Sequence, residues 1–89
     1  MKYNRLQRIV KGFANHRRIE ILNLISVKPD LSLNQISESL DVNFKTISEH
    51  TRKMVSAGII TKTYKGAEVK HNISSRGAKV LKFLTGLDE

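Results

Sequence analysis

The 89-residue chain has no cysteine, no tryptophan and one proline, and its phenyl rings are limited to three Phe and two Tyr. Without cysteine there are no disulfides and no thiolate metal ligands, which fits a reducing, cytoplasmic setting. So few scattered aromatics build no stacking platform for single-stranded RNA. No apolar run approaches the roughly 20 residues that span a bilayer. The opening MKYNRLQRIV lacks the long apolar segment of a secretion signal. There is no nucleophile elbow, phosphate loop or metal-ligand motif, so neither catalysis nor a cofactor is expected. There is also no repeat, low-complexity tract or linker, and 39% hydrophobic content over this length suits one small domain spanning residues 1–89.

What the chain has in excess is positive charge: 16 Lys and Arg against 8 acidic residues, a formal charge of +8. Such a field attracts polyanions, with nucleic acid foremost. An anionic membrane surface would instead call for a basic amphipathic helix exposing large apolar side chains. The charge is uneven. Residues 1–20 carry +5, residues 21–42 carry −2, residues 43–59 carry +2 and residues 60–76 carry +3, while the last thirteen balance.

Apolar spacing divides the chain into elements. Leu6, Ile9, Val10 and Phe13 recur at helical intervals, with Lys2, Arg5, Arg8 and Lys11 on the other side, and this first helix should end near Gly12. Asn15 is the expected cap of a second helix whose inward stripe is Ile19, Leu22 and Ile25, closed by Pro29 and Asp30. Ser32 and Gln35 form a capping box that starts a short third helix on Leu33, Ile36 and Leu40. Asp41, Val42 and Asn43 make a three-residue turn, Asn43 caps a fourth helix, and Gly58 stops it just after Ala57.

Beyond Gly58 the period becomes alternating. IITKTY and EVKHNI flank the turn KGA, so two strands form a hairpin with Lys62, Lys65 and Lys70 near its exposed side or tip. Ser74 or Ser75 then caps a last helix with Ala78, Leu81, Leu84 and Val80 on its apolar side. The expected class is α+β, mainly α: about five helices and a two- to three-stranded antiparallel wing, a winged helix-turn-helix.

In that arrangement the fourth helix is the one that enters a DNA major groove. Ile47, Met54, Val55 and Ala57 hold it on the core and leave Lys45, Thr46, Ser48, Glu49 and Arg52 outward. Lys45 and Arg52 suit phosphate or guanine, Thr46 and Ser48 suit either, and Glu49 suits cytosine. With Asn43 and the wing lysines Lys62, Lys65 and Lys70, these are the candidate DNA-binding residues. Each has a plainer reading. Mixed polar residues also make a solvated helix face, and lysine on an edge strand deters aggregation. The row from Lys2 to Lys11 is read as a solvated face. Arg17 and Arg18 oppose the dipole of the helix they start, so they call for an anionic neighbour, either an acidic side chain or a phosphate. His16, His50 and His71 lack metal-ligand spacing, and His50 is read as fixing its helix by packing or a hydrogen bond, or as touching a phosphate.

The stretch VNFKTISEHTRKMVSAGII resembles the signature of ArsR-type winged-helix regulators, with Ser48-Glu49-His50 and Ala57-Gly58 at the matching places. NHRRIEILNLI before it and KHNISSRG after it also fit, so the resemblance runs from about Phe13 to Leu84. It implies a homodimer joined through the N- and C-terminal helices, double-stranded DNA as partner, and usually repression of transcription. The chain departs from metal-sensing members. Their Cys-x-Cys pair would fall on Ser32 and Asn34, Ser75 to Glu89 contains no His, and Thr51 stands where Leu is usual. No metal is therefore expected. The alternative is a winged-helix protein interaction module that does not bind DNA.

Overall fold

Asn15, Ser32, Asn43 and Ser74 each turn a side-chain oxygen onto the free N–H groups of the residues just after them, and a helix follows each one. Such a cap is worth about 1 kcal/mol. The computed structural model describes all 89 residues. It contains α1 (Tyr3–Phe13), α2 (His16–Val27), α3 (Leu33–Leu40), α4 (Phe44–Ser56), β1 (Ile60–Lys65), β2 (Glu68–Ile73) and α5 (Ser75–Leu87). The expected helices and hairpin are all present, and their ends lie within a few residues of the anticipated places. The Ser32 and Gln35 capping box forms in full, and Ser74 rather than Ser75 caps α5.

The core is built from Ile21, Leu22 and Ile25 of α2, Ile36 of α3, Ile47 and Met54 of α4, and Ile59 and Ile60 at the start of the wing. Each such burial stabilises by about 1.5–3 kcal/mol. Here α2 differs from its anticipated stripe. Ile21 is fully buried and Ile19 only half-buried, because α2 packs against several elements at once and no single amphipathic face describes it.

In α1 the apolar spacing leaves open whether the stripe meets the chain's own core or a partner helix, and the structure divides it: Ile9 and Phe13 are half-buried, whereas Leu6 and Val10 are 38% and 48% exposed and Tyr3 is 77% exposed. The buried residue is Gly12, against which Ala57 of α4 lies so close that an added Cβ would overlap it. The close approach at Gly12, together with Phe13 packed against the core, seats this helix. In α5 the deepest residue is likewise a glycine, Gly77, on the carbonyl of Ile59. Leu81, Leu84 and Val80 are half-buried, whereas Ala78 is exposed rather than packed.

The wing is a two-stranded antiparallel ribbon registered Ile60 with Ile73 through Lys65 with Glu68, turning at Gly66 (φ +63°) and Ala67. Leu31 adds an isolated bridge to His71, a fragment of a third strand. Gly58 (φ +75°) ends α4 in the left-handed conformation that glycine adopts at least cost.

Candidate nucleic-acid interface

Three residues link α3 to α4. Asp41 takes the left-handed conformation (φ 53°), Val42 donates its N–H to the Ser37 carbonyl at 3.1 Å, and Asn43 caps α4 through Oδ1. Asp is among the few residues with a side chain that tolerates this conformation. The turn is therefore tight, and it sets α4 across α3.

Ile47, Thr51 and Met54 of α4 are buried at one-turn intervals. Thr51 takes the inward place where the family resemblance has Leu, and its hydroxyl is buried without a partner. The register is thereby fixed. Lys45, Glu49 and Arg52 lie on the far side and are exposed, while Thr46 and Ser48 are half-buried on the flanks. Asn43 is exposed, but its Oδ1 accepts from Lys45 N at 2.8 Å and Thr46 N at 3.4 Å, which leaves only its amide N–H groups free for a ligand. Phe44 stands 48% exposed at the leading end. Nothing in the spacing of apolar residues distinguishes it from a core position.

His50 joins α4 to α2. Arg18 Nε donates to its Nδ1 at 3.1 Å, so His50 is the neutral tautomer with its proton on Nε2. Burial and then the Arg18 charge hold it below the ordinary 6.5. The expected hydrogen-bonding role of His50 is thus seen. Arg17 finds an acidic side chain, Glu20, at 2.7 Å, whereas Arg18 finds none and donates a second bond to the Lys11 carbonyl at 2.6 Å.

The wing lysines differ from one another. Lys62 is exposed and has no carboxylate partner. Lys65 is exposed near the tip, with Asp30 at 3.9 Å. Lys70, expected at the exposed side or tip, has a side chain only 18% accessible and paired with Glu68 at 3.1 Å. Lys70 and Glu68 share one face of β2, which lets them pair, while Lys62 stands on the opposite face beside His71. Tyr64, 71% exposed, completes the outer surface of the ribbon.

His71 is buried. Its N–H and its Nδ1 both reach the Leu31 carbonyl at 2.8 Å, so Nδ1 carries the proton, and Nε2 is left without a partner. Burial lowers its pKa below 6.5, only partly offset by the Leu31 bond. No three His, Asp or Glu side chains stand close enough together to hold a metal ion. No helix is long and apolar enough to cross a membrane.

A tight turn, a capped helix with a polar outer face and a lysine-bearing ribbon define the winged helix-turn-helix class. The sequence profile of the winged helix-turn-helix DNA-binding family matches residues 15–61, more than half of the chain, and the chain belongs to that family.

Solved structures agree on the fold. The homodimeric winged helix-turn-helix DNA-binding domain Mb0332 from Mycobacterium bovis, a possible ArsR-family transcriptional regulator, is 21% identical with a TM-score of 0.87, over 97% of this chain and 80% of that one. The transcriptional repressor PagR of Bacillus anthracis is 24% identical with a TM-score of 0.79, over 93% and 99%. FabT of Streptococcus pneumoniae, solved in complex with DNA, is 16% identical with a TM-score of 0.71, over 79% and 51%. No curated protein sequence matches the chain. The fold is that of ArsR-type regulators, as the motif around Ser48 and His50 implies.

Proposed function

We propose that the protein is a dimeric, sequence-specific regulator of transcription, most simply a repressor, that works in the cytoplasm and catalyses no reaction. The observation that supports this best is the outward row Lys45, Glu49 and Arg52 on a helix whose opposite side is locked by Ile47, Thr51 and Met54. A helix held this rigidly can be laid in a major groove without reordering its side of the interface. Thr46 and Ser48 read base edges from its flanks, and Lys62 with Lys65 rests on the neighbouring phosphates.

Two copies are needed for site selection. Tyr3, Leu6 and Val10 of α1 and Phe83 and Leu87 of α5 leave apolar surface uncovered in one chain, and a second copy buries it. Two α4 helices then meet half-sites about 34–36 Å apart. Selection of bound sequences from random duplexes tests the reading. The expected result is a two-fold symmetric motif whose binding weakens steeply with salt. A chain that retains no duplex at moderate salt is a protein interaction module instead.

A further inference from the structure

Between α1 and the C-terminal half of α4 lies an open groove of about 460 Å³. Arg5, Arg8 and Lys11 line it from α1, Arg52 and Lys53 from α4, and Arg18 and Arg76 from the starts of α2 and α5. Seven of its eleven lining residues are cationic and none is acidic. The ion pairs of the structure all lie elsewhere, joining Arg17 to Glu20, Lys65 to Asp30 and Lys70 to Glu68. So many like charges facing one space repel each other, and a bound polyanion relieves that repulsion.

Two of the guanidinium groups are held in place beforehand. Arg18 donates to the Lys11 carbonyl at 2.6 Å and to His50 at 3.1 Å, and Arg76 donates to the Ala57 carbonyl at 3.0 Å. Each has five N–H donors, so most stay available. A planar fork that is already positioned loses little freedom on binding a phosphate.

The groove shares Arg52 with the outward face of α4 and runs from there away from Lys45 at the leading end of that helix. Ser56 is eleven residues beyond Lys45, roughly 16 Å along the helix axis. The space is concave, and its volume lies within the roughly 300–1,000 Å³ range typical of small-ligand pockets. On α1, Arg5, Arg8 and Gly12 share the side toward α4, while Tyr3, Leu6 and Val10, at the same 3–4 spacing, share the opposite side. A partner helix on that apolar side leaves the groove open.

We propose that the groove between α1 and α4 binds a small compound bearing a diphosphate or triphosphate group, and that its occupancy releases DNA by engaging Arg52 and Lys53. The site itself stands apart from the DNA-binding reading, while the release rests on it.

Calorimetric titration of the full chain with sodium pyrophosphate, against sodium sulfate at matched ionic strength, tests the site. Saturable binding of one pyrophosphate per chain is expected, clearly tighter than sulfate. The double variant Arg5→Gln, Arg8→Gln should weaken it about tenfold or more, with unchanged thermal melting because both side chains are exposed. Lys45→Ala should leave it intact. Pyrophosphate binding no tighter than sulfate, or undiminished in the double variant, overturns the proposal. So does a double variant that keeps pyrophosphate but loses duplex DNA, which would make the groove a seat for the DNA backbone. Pyrophosphate binding by a chain that ignores duplex DNA overturns the DNA reading and the release, and upholds the site.

Discussion

Arg18 and His50 meet across 3.1 Å, the Nε–H of the one donating to Nδ1 of the other, and this bond ties the start of α2 to the middle of α4. It exists only while Nδ1 is unprotonated. The imidazole of His50 should therefore titrate below 6.5, since burial and the neighbouring guanidinium both disfavour its cation. Arg18→Met should raise the midpoint toward 6.5 without reaching it, because burial is the larger cause. Imidazole NMR shifts followed through a pH series check this. An unmoved midpoint would show that Arg18 does not act on His50.

Gly12 and Ala57 let α1 and the end of α4 approach more closely than larger side chains would allow. Gly12→Ala gains helix propensity but places a methyl where Ala57 already is. Overpacking of this kind costs about 1–3 kcal/mol, more than the roughly 1 kcal/mol that propensity returns. Urea unfolding should show a net loss of stability. A stabilised variant would mean that α1 shifts freely on α4.

Helix positions, caps, turn and wing were legible in the sequence because each rests on local chemistry: Asn15, Ser32 and Asn43 as caps, Gly58 and Gly66 at positive φ, alternation beyond Ile60. The orientation of α1 was not. Leu6 and Val10 mark an apolar side, yet spacing does not say whether it meets its own core or another chain. Gly12, which decides the matter, looked like a helix end. The polar face of α4 was legible through the period of Ile47 and Met54, whereas the basic groove was not, since Arg5, Arg18, Arg52 and Arg76 come together only through tertiary packing.

Acid should destabilise the fold. In the folded chain both His50 and His71 protonate below 6.5, so in the window beneath that value the unfolded chain binds more protons. Their contribution is complete above 6.5 and is lost as the pH falls through the folded-state values. For His71 the cause is specific, because a proton on Nε2 would sit buried with no acceptor. Urea midpoints should fall as the pH is lowered from about 7.5 to about 5. His71→Phe should flatten that dependence, and an unchanged slope would contradict the assignment.

Dimerisation through α1 gives a separate expectation. Leu6 and Val10 are exposed at 38% and 48%, so charge placed there costs little within one chain but is buried unpaired between two. Leu6→Lys with Val10→Lys should yield a folded monomer by sedimentation, with weaker binding to a two-fold site. A double variant that remains dimeric would move the interface elsewhere.

The wing lysines make a discriminating set, because their surroundings differ although their residue type does not. Lys62 has no carboxylate partner and stands free in solvent, so a phosphate gains its full charge. Lys70 is largely covered, and Glu68 at 3.1 Å already offsets its charge. Each phosphate contact that is lost should lower the salt slope of DNA binding by about one. Lys62→Ala is expected to show that change and Lys70→Ala a clearly smaller one, measured as duplex affinity across a salt series. If the two variants behaved alike, coverage and pairing with Glu68 would not govern contact. If neither mattered, the wing would serve only to pack α4 and would lie off the DNA.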